Sequence, residues 1–110
     1  MATLITQTVT QAGVIVVHDP ADPAGDKVRP GRGVALSVRS ASETDLVVTL
    51  VTPGTIAGLE IEDREVPIPA GADVMVPIAD SQLYGDPADG GLATVLYDDA
   101  TDLVVAAIRI

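Results

Sequence analysis

Cysteine, phenylalanine and tryptophan are absent from this sequence of 110 residues. Without cysteine the chain can form neither a disulfide framework nor a thiolate metal site, so we expect it to fold in a reducing compartment. Its only aromatic residues are Tyr84 and Tyr97. It therefore lacks the series of aromatic side chains on which single-stranded nucleic acids stack. Val, Ile, Leu and Ala must fill the core, and β-branched residues favour strands.

Positive charge is also scarce, because six basic residues stand against sixteen acidic ones and the net charge is −10. Such a field repels phosphate groups, which excludes nucleic-acid binding as a main function and disfavours anionic membrane surfaces. No apolar run approaches the roughly 20 residues that a membrane-spanning helix needs. The length is that of one domain, so we predict a single acidic domain spanning residues 1–110.

Short apolar segments recur along the chain, with turn residues between them and no helical periodicity. Apolar and polar residues alternate most clearly at 33–39, 45–52 and 73–78, as in strands with one buried face. Residues 13–17 (GVIVV) are apolar throughout, as expected of a strand covered on both faces. The other predicted strands span residues 3–10, 64–68, 92–97 and 103–110. This pattern predicts an all-β fold, a single antiparallel β-sandwich or small barrel of about eight short strands.

The sequence also predicts the position of one strand and the form of two connections. Pro67 cannot donate a hydrogen bond to a neighbouring strand, so residues 64–68 are expected at the edge of a sheet. Residues 55–62 are expected to be irregular, with room for one helical turn. Residues 98–102 are expected to form a hairpin-type connection between the last two strands.

The longest break in the strand pattern is a loop at residues 19–33, which is rich in proline and glycine. These residues exclude a helix or a central strand. The loop contains three basic residues, Lys27, Arg29 and Arg32, and a loop of about fifteen residues is long for a compact domain. Two interpretations stay open. The loop is either solvated and mobile, or it is an arm that docks on a partner and becomes ordered on contact.

A second candidate contact lies in the polar loop between the strands at 73–78 and 92–97. Leu83 and Tyr84 are the large apolar side chains of this loop. An exposed pair of this kind is a plausible contact anchor. The alternative is that both side chains fold back over the open end of the sandwich.

Residues with catalytic or metal-binding chemistry are few. His18, the only histidine, lies beside Asp19, but no serine has the context of a nucleophile elbow, so we expect a structural or solvated histidine. Asp98, Asp99 and Asp102 are close in sequence, but they lack the spacing and the bidentate glutamate of a calcium loop. Aspartate favours turns by bonding nearby backbone N–H groups. The sequence thus predicts no catalytic residue, no metal site and no cofactor.

From residue 51 onward the chain carries an ordered series of motifs. Residues 51–59 (VTPGTIAGL) precede Asp63-Arg64, and residues 68–71 (IPAG), the Leu83-Tyr84 loop and residues 104–110 (VVAAIRI) follow. This order resembles that of small proteins encoded among the virion structural genes of tailed phages and prophages of actinobacteria. The similarity spans residues 25–110, and residues 1–24 do not extend it.

The resemblance implies a β-sandwich component of the virion, and in the first place a capsid decoration (cement) protein. Such a protein is made in the cytoplasm of the bacterial host and ends on the capsid surface of the virion. It binds the major capsid protein, reinforces contacts between capsomers and is often a trimer. The candidate partner contacts are Lys27, Arg29, Arg32, Leu83 and Tyr84.

Three other functions remain open at this point. The first is a different virion role, in a head–tail connector or a tail component, where rings of fixed symmetry are common. The second is a small hydrolase with a carboxylate–metal site. The third is a bacterial ligand-binding β domain, which would have a concave pocket.

Overall fold

Strands form most of the regular structure in the computed structural model, which describes residues 2–110 apart from the side chains of Thr55, Ile56, Glu60 and Gln82. Within these residues the longer strands are β4 (Asp26–Val28), β5 (Val34–Ser40), β6 (Leu46–Leu50), β9 (Arg64–Ile68), β10 (Asp73–Pro77), β12 (Leu92–Tyr97) and β13 (Leu103–Arg109). The two-residue strands are β1 (Ala2–Thr3), β2 (Gln7–Thr8), β3 (Asp19–Pro20), β7 (Thr55–Ile56), β8 (Leu59–Glu60) and β11 (Gly85–Asp86). The helical segments are one α-helical turn, α1 (Ser81–Tyr84), and a 3-10 turn at Pro87–Asp89. No helix of the described chain is long and apolar enough to cross a membrane.

Two sheets face each other as a sandwich, and they do not close into a barrel. One sheet has the order β1-β4-β12-β6-β9, with β11 beside β12. The other has the order β10-β5-β13-β2, with β3 beside β13. The predicted all-β sandwich is therefore confirmed. The sheets are mixed, because β1 runs parallel to β4 and β2 runs parallel to β13. The N-terminal segment thus lines the edge of each sheet in turn.

The core lies between the two sheets and is aliphatic. The alternation predicted for β5, β6 and β10 is confirmed, since their inward side chains are buried or half-buried and their outward ones are more exposed. Full burial of one such Val, Leu or Ile is worth roughly 1.5–3 kcal/mol, so these faces fix the register of the strands. β9 is the last strand of its sheet, as Pro67 predicts. The largest fully buried side chains include Leu36, Leu50, Ile68, Ile78 and Leu103.

The prediction that residues 13–17 form a strand covered on both faces is wrong. This segment belongs to no strand, and Ile15 and Val17 are 89% and 60% exposed. The doubly covered strand is β13, which lies between β5 and the edge strands β2 and β3. Its residues Ala106 and Ile108 point away from the core and are nevertheless buried. Both segments are continuously apolar, so local composition could not decide which of them takes the central place.

The prediction that the loop at 19–33 contains no central strand is also wrong. β4 lies inside this range and pairs with β1 on one side and β12 on the other. Asp26 and Val28 are buried, so this part of the loop is held in the six-stranded sheet. The prolines and glycines of the range flank β4 and leave three residues free to pair, which is enough for a short strand. Mobility of the flanking residues stays a prediction.

The structure also differs from the predictions for two connections, residues 55–62 and 98–102. Residues 55–62, expected to be irregular, contain the hairpin of β7 and β8. Its turn residues Ala57 and Gly58 both have positive φ, at 53° and 79°, as the tight turn of a two-residue hairpin requires. Residues 98–102 do not form a hairpin, because β12 and β13 belong to different sheets. They carry the chain from one layer of the sandwich to the other.

Candidate interaction surfaces

Most of the basic side chains collect at one end of the sandwich. Lys27 lies on β4, and Arg29 and Arg32 follow it on the way to β5. Arg109, at the end of β13, lines the same shallow cleft of about 180 Å³ as Arg29. The backbone closes this end, since the N–H of Ile110 donates to the Gly33 carbonyl at 3.0 Å. We call Lys27, Arg29, Arg32 and Arg109 the basic end.

The loop at 86–91 packs beside this end and fixes two of its side chains. Lys27 Nζ forms a salt bridge with the Asp89 carboxylate, and Arg29 Nη1 donates to the Gly90 carbonyl at 3.3 Å. The Asp86 side chain in turn accepts from the Ala88 N–H, which holds the 3-10 turn that carries Asp89. Lys27 is thus neutralised, and Arg29 is positioned without being neutralised.

The remaining arginines of the basic end carry uncompensated charge. Arg29, Arg32 and Arg109 are exposed, and no carboxylate that the structure describes forms a salt bridge with any of them. Of the two basic residues elsewhere, Arg39 pairs with Asp73 at 3.5 Å, and Arg64 donates to the Pro77 carbonyl, as Arg29 does to that of Gly90. A protein of net charge −10 therefore presents one end with local positive charge. Such an asymmetry orients the protein in the field of a charged partner.

Leu83 and Tyr84 occupy α1, next to the loop that supports the basic end. Tyr84 is 8% exposed and belongs to the core, and Leu83 is half-buried against it. The pair therefore folds back over the sandwich, which is the second of the two interpretations from the sequence. Tyr84 supports the fold at this place, and only Leu83 keeps surface that a partner could touch.

A second surface is formed by residues 9–17, which we call the arm. The arm leaves β2 and returns at β3, both of which pair with β13 on the same side of the sheet. Gln7 fixes its end: its side-chain amide donates to the Val17 carbonyl at 2.8 Å and accepts from the Val17 N–H at 2.9 Å. Side-chain hydrogen bonds of this kind replace a strand pairing and leave the middle of the arm free.

The arm is apolar and uncharged. Ile15, Val17 and Val14 are large hydrophobic side chains that are exposed to solvent, and so is Ile5 of the preceding segment. No residue among the first seventeen has a charged side chain. Contiguous exposed apolar surface on a soluble protein commonly marks an interaction site.

A cleft of about 480 Å³ lies between the N-terminal strands and β13, and Asp26 lines it. Asp26 is 1% exposed, and its Oδ2 accepts a hydrogen bond from the Tyr97 hydroxyl at 2.7 Å. Its Oδ1 has no hydrogen-bond partner among the described residues. Burial and the hydrogen bond to Asp26 raise the pKa of the Tyr97 phenol well above its ordinary value. The pair ties β4 to β12 through a buried polar contact.

The residues with catalytic chemistry have structural partners. His18 Nε2 lies 2.9 Å from Ser37 Oγ on β5 and anchors the chain where the arm ends. Within residues 2–110 no carboxylate is hydrogen-bonded to His18, so its imidazole lacks the orienting acid of a catalytic triad. Ser37 lies in the middle of a regular strand, away from any sharp turn that would expose its hydroxyl.

The aspartates at 98–102 act in the connection between the two sheets. Asp98 accepts from the Val47 N–H at 3.0 Å and Asp99 accepts from the Thr101 N–H at 2.9 Å. The hydrogen bond from the Thr101 backbone lowers the pKa of the Asp99 carboxyl. Among the side chains that the structure describes, no three of Asp, Glu, His or Cys are grouped in a way that could hold a metal ion.

Sequence reasoning named Lys27, Arg29 and Arg32 but missed Arg109 and the arm. Arg109 is distant in sequence and joins the basic end only through the pairing of β13. The arm had a signal in the sequence: the first seventeen residues have no charged side chain in a chain that is otherwise strongly acidic. The exposure of the arm, however, depends on the choice of β13 as the central strand.

Comparison with known proteins adds no relative: no family model, no curated protein and no solved structure matches the chain.

Proposed function

We propose that this chain is a non-enzymatic structural protein of a phage virion, a capsid decoration protein that binds the outer surface of the head and reinforces contacts between capsomers. Its partner is the major capsid protein, and its place is the capsid surface. The proposal joins the resemblance of residues 25–110 to virion proteins with one observation in the structure, the basic end of an acidic sandwich.

The basic end supports docking in one orientation. Arg29, Arg32 and Arg109 are exposed and form no salt bridge with a described carboxylate, whereas the chain as a whole has a net charge of −10. A protein with this charge distribution turns its basic end toward an acidic surface and its acidic faces away from it. Arginine suits such a contact, because its planar guanidinium binds carboxylates through two hydrogen bonds.

The sandwich gives the basic end a rigid support. Lys27 is held by Asp89, and Arg29 is held by the Gly90 carbonyl, so two of its side chains keep a fixed geometry before a partner arrives. Pre-organised side chains lose less conformational entropy on binding. A stable contact buries about 800 Å² on each partner, which requires residues around the arginines as well. Leu83, half-buried beside the 86–91 loop, is one of these.

A second candidate function, that of a ligand-binding β domain, is favoured by the cleft at Asp26. The cleft has the volume of small-molecule sites, about 480 Å³. It combines mainly apolar walls with one buried carboxylate whose Oδ1 is unpartnered among the described residues. A small cationic or hydrogen-bond-donating ligand would suit this chemistry.

Immunogold electron microscopy tests the proposal. Antibodies raised against the purified chain are applied to phage particles released from the source bacterium. We expect labelling over the outer surface of the heads. Labelling confined to the neck or the tail would replace decoration by a connector or tail role. Particles without any label would overturn the virion assignment and favour the ligand-binding domain.

Charge-reversed variants test the basic end itself. Particles assembled without this chain are mixed with purified protein, and the bound fraction is measured after sedimentation. We expect the double variant Arg29→Glu/Arg32→Glu to lose binding, and binding of the unmodified protein to weaken as salt rises. Arg39→Glu/Arg64→Glu is the matched control, because it changes the net charge equally at other places on the sandwich. Equal loss in both variants would show that only net charge matters and would contradict docking through the basic end.

A further inference from the structure

We propose that the arm, residues 9–17, is a self-association surface on which a second copy of this chain docks by strand pairing. The proposal does not require the head-surface role, and it rests on the arm's geometry, its exposed side chains and the distribution of charge.

The arm offers unused backbone hydrogen-bonding groups at the edge of the five-stranded sheet. Among residues 2–110, the N–H and C=O groups of Val14, Ile15 and Val16 have no hydrogen-bond partner. Exposure alternates along the segment: Ile15 and Val17 are more exposed than Val14 and Val16, as in a strand with one free face. A segment beside a sheet edge with unpaired backbone groups is a template for strand addition.

The edge strands at the far side of each sheet are protected against such pairing. β9 carries Pro67 together with charged residues, and β10 begins with Asp73 and ends with Pro77. Proline and charge are the usual means by which edge strands avoid association. Residues 13–17 contain neither. Proline and charge therefore protect β9 and β10 against pairing with another chain, and the arm lacks this protection.

The charge distribution selects a second copy as the occupant. Two copies of a chain with net charge −10 repel each other wherever their acidic faces meet. The first seventeen residues have no charged side chain, so contact through the arm brings no carboxylates together within the paired segments. A basic partner would gain most by binding the acidic faces, whereas pairing through the neutral arms lets a second copy bind while its acidic faces stay apart.

Because the proposed contact joins neutral apolar segments of two acidic bodies that repel each other, self-association should depend on salt in an unusual way. Raising the salt concentration from about 0.01 M to 0.15 M shortens the Debye length from about 30 Å to about 8 Å and so weakens the repulsion between the two acidic bodies. Self-association through the arm should therefore become tighter with salt. Docking through the basic end should become weaker over the same range, so the two contacts are separable in one titration.

Sedimentation velocity of the full chain measures the association directly. We expect a mass that rises with protein concentration above the 11.2 kDa of one chain. Ile15→Asp should weaken self-association at least about tenfold, because it replaces a buried apolar contact by a charge. Leu59→Asp is the matched control: Leu59 is 72% exposed, lies outside the arm and gives the same change of charge. Circular dichroism confirms that both variants keep the sandwich.

Hydrogen exchange identifies the surface independently of any substitution. The amides of Val14, Ile15 and Val16 have no acceptor in the described chain, so they should exchange fast in dilute protein and slow down as copies associate. A chain that stays monomeric at every concentration and salt overturns the proposal. So does an oligomer in which these amides stay fast or in which Ile15→Asp and Leu59→Asp behave alike. Immunogold labelling of heads does not depend on these results, so either proposal can fail alone.

Discussion

The substitution Tyr97→Phe removes one hydroxyl from the interior and isolates a buried carboxylate. The Tyr97 hydroxyl donates to Asp26 Oδ2 at 2.7 Å, and the only other described donor to this carboxylate is the Asp22 N–H at 3.3 Å. Asp26 is 1% exposed, so solvent reaches it only through the adjoining cleft and compensates for little of the lost hydrogen bond. A hydrogen bond to a charged group contributes about 1.5–3 kcal/mol. We therefore expect the free energy of unfolding to fall by about 2 kcal/mol.

Thermal and urea unfolding measure this loss. Unfolding entropies of about 2.1 cal/mol/K per residue, applied to 110 residues, convert 2 kcal/mol into a fall in Tm of about 9 °C. The urea midpoint should fall while the m-value stays the same, because the surface exposed on unfolding does not change. A double-mutant cycle with Asp26→Asn measures how much of the loss depends on the charge of Asp26. In the Asp26→Asn background, Tyr97→Phe should lower the free energy of unfolding by only about 1 kcal/mol, because the acceptor is then a neutral amide.

The pH dependence gives this contact a second signature. The folded pKa of Tyr97 lies above its unfolded value, so its contribution is fully present below about pH 10 and is lost as pH rises above that value. The stability difference between wild type and Tyr97→Phe should therefore shrink above pH 10, by about 1.4 kcal/mol per pH unit. A buried hydrogen bond to a carboxylate must produce both a loss of stability at pH 7 and a decrease of that loss above pH 10. The contact would be refuted if wild type and Tyr97→Phe differed by less than about 0.5 kcal/mol at pH 7, or if their difference stayed constant between pH 9 and 11.

Other predictions concern the backbone, the loop and the acid limb of the stability curve. Gly33→Ala should prevent stable folding or cost well over the roughly 1–2 kcal/mol of a positive φ, because the added Cβ would lie 2.3 Å from the Ile110 carbonyl oxygen. Gly71→Ala is the control and should cost only those roughly 1–2 kcal/mol, because Gly71 also has a positive φ but its Cβ would meet open space. Equal urea midpoints for the two variants would contradict this prediction. Deleting residues 21–31 should abolish cooperative unfolding, because it removes β4 and its buried side chains, and a deletion variant with a native melting transition would contradict the topology. Asp99→Asn should lower stability at pH 7 but not well below pH 3.8, because the depressed folded pKa of Asp99 gives stability that is lost as pH falls; acid titration followed by circular dichroism tests the sign.

Several features of the fold could be predicted from neighbouring residues alone. The alternation in β5 and β6 identified both the strands and their inward faces, because a period of two places every second side chain on one side of a sheet. Pro67 predicted an edge strand, since proline lacks the N–H that a neighbour would need. The turn at residues 98–102 was expected from its aspartates, although its role as a crossing between sheets was not.

The part of the chain before β5 could not be predicted in this way. Residues 13–17 and β13 are both continuous apolar runs, and each is compatible with a doubly covered strand. β13 takes the central place by pairing with β5 along its whole length, which leaves the first run exposed. β4 was missed because its three pairing residues lie among prolines and glycines, and because both partners that stabilise it, β1 and β12, are distant or short.

The sequence by itself determined the class of the protein: an aliphatic, all-β chain with a net charge of −10 and with turn residues between short strands. These properties follow from composition and from neighbours along the chain. Only the tertiary structure decided which apolar run is buried, that Arg109 joins Arg29 and Arg32, and that Asp26 lies inside beneath Tyr97. Each of these depends on which strands pair, and pairing is settled by the total burial of the whole sandwich, a quantity that no local segment contains.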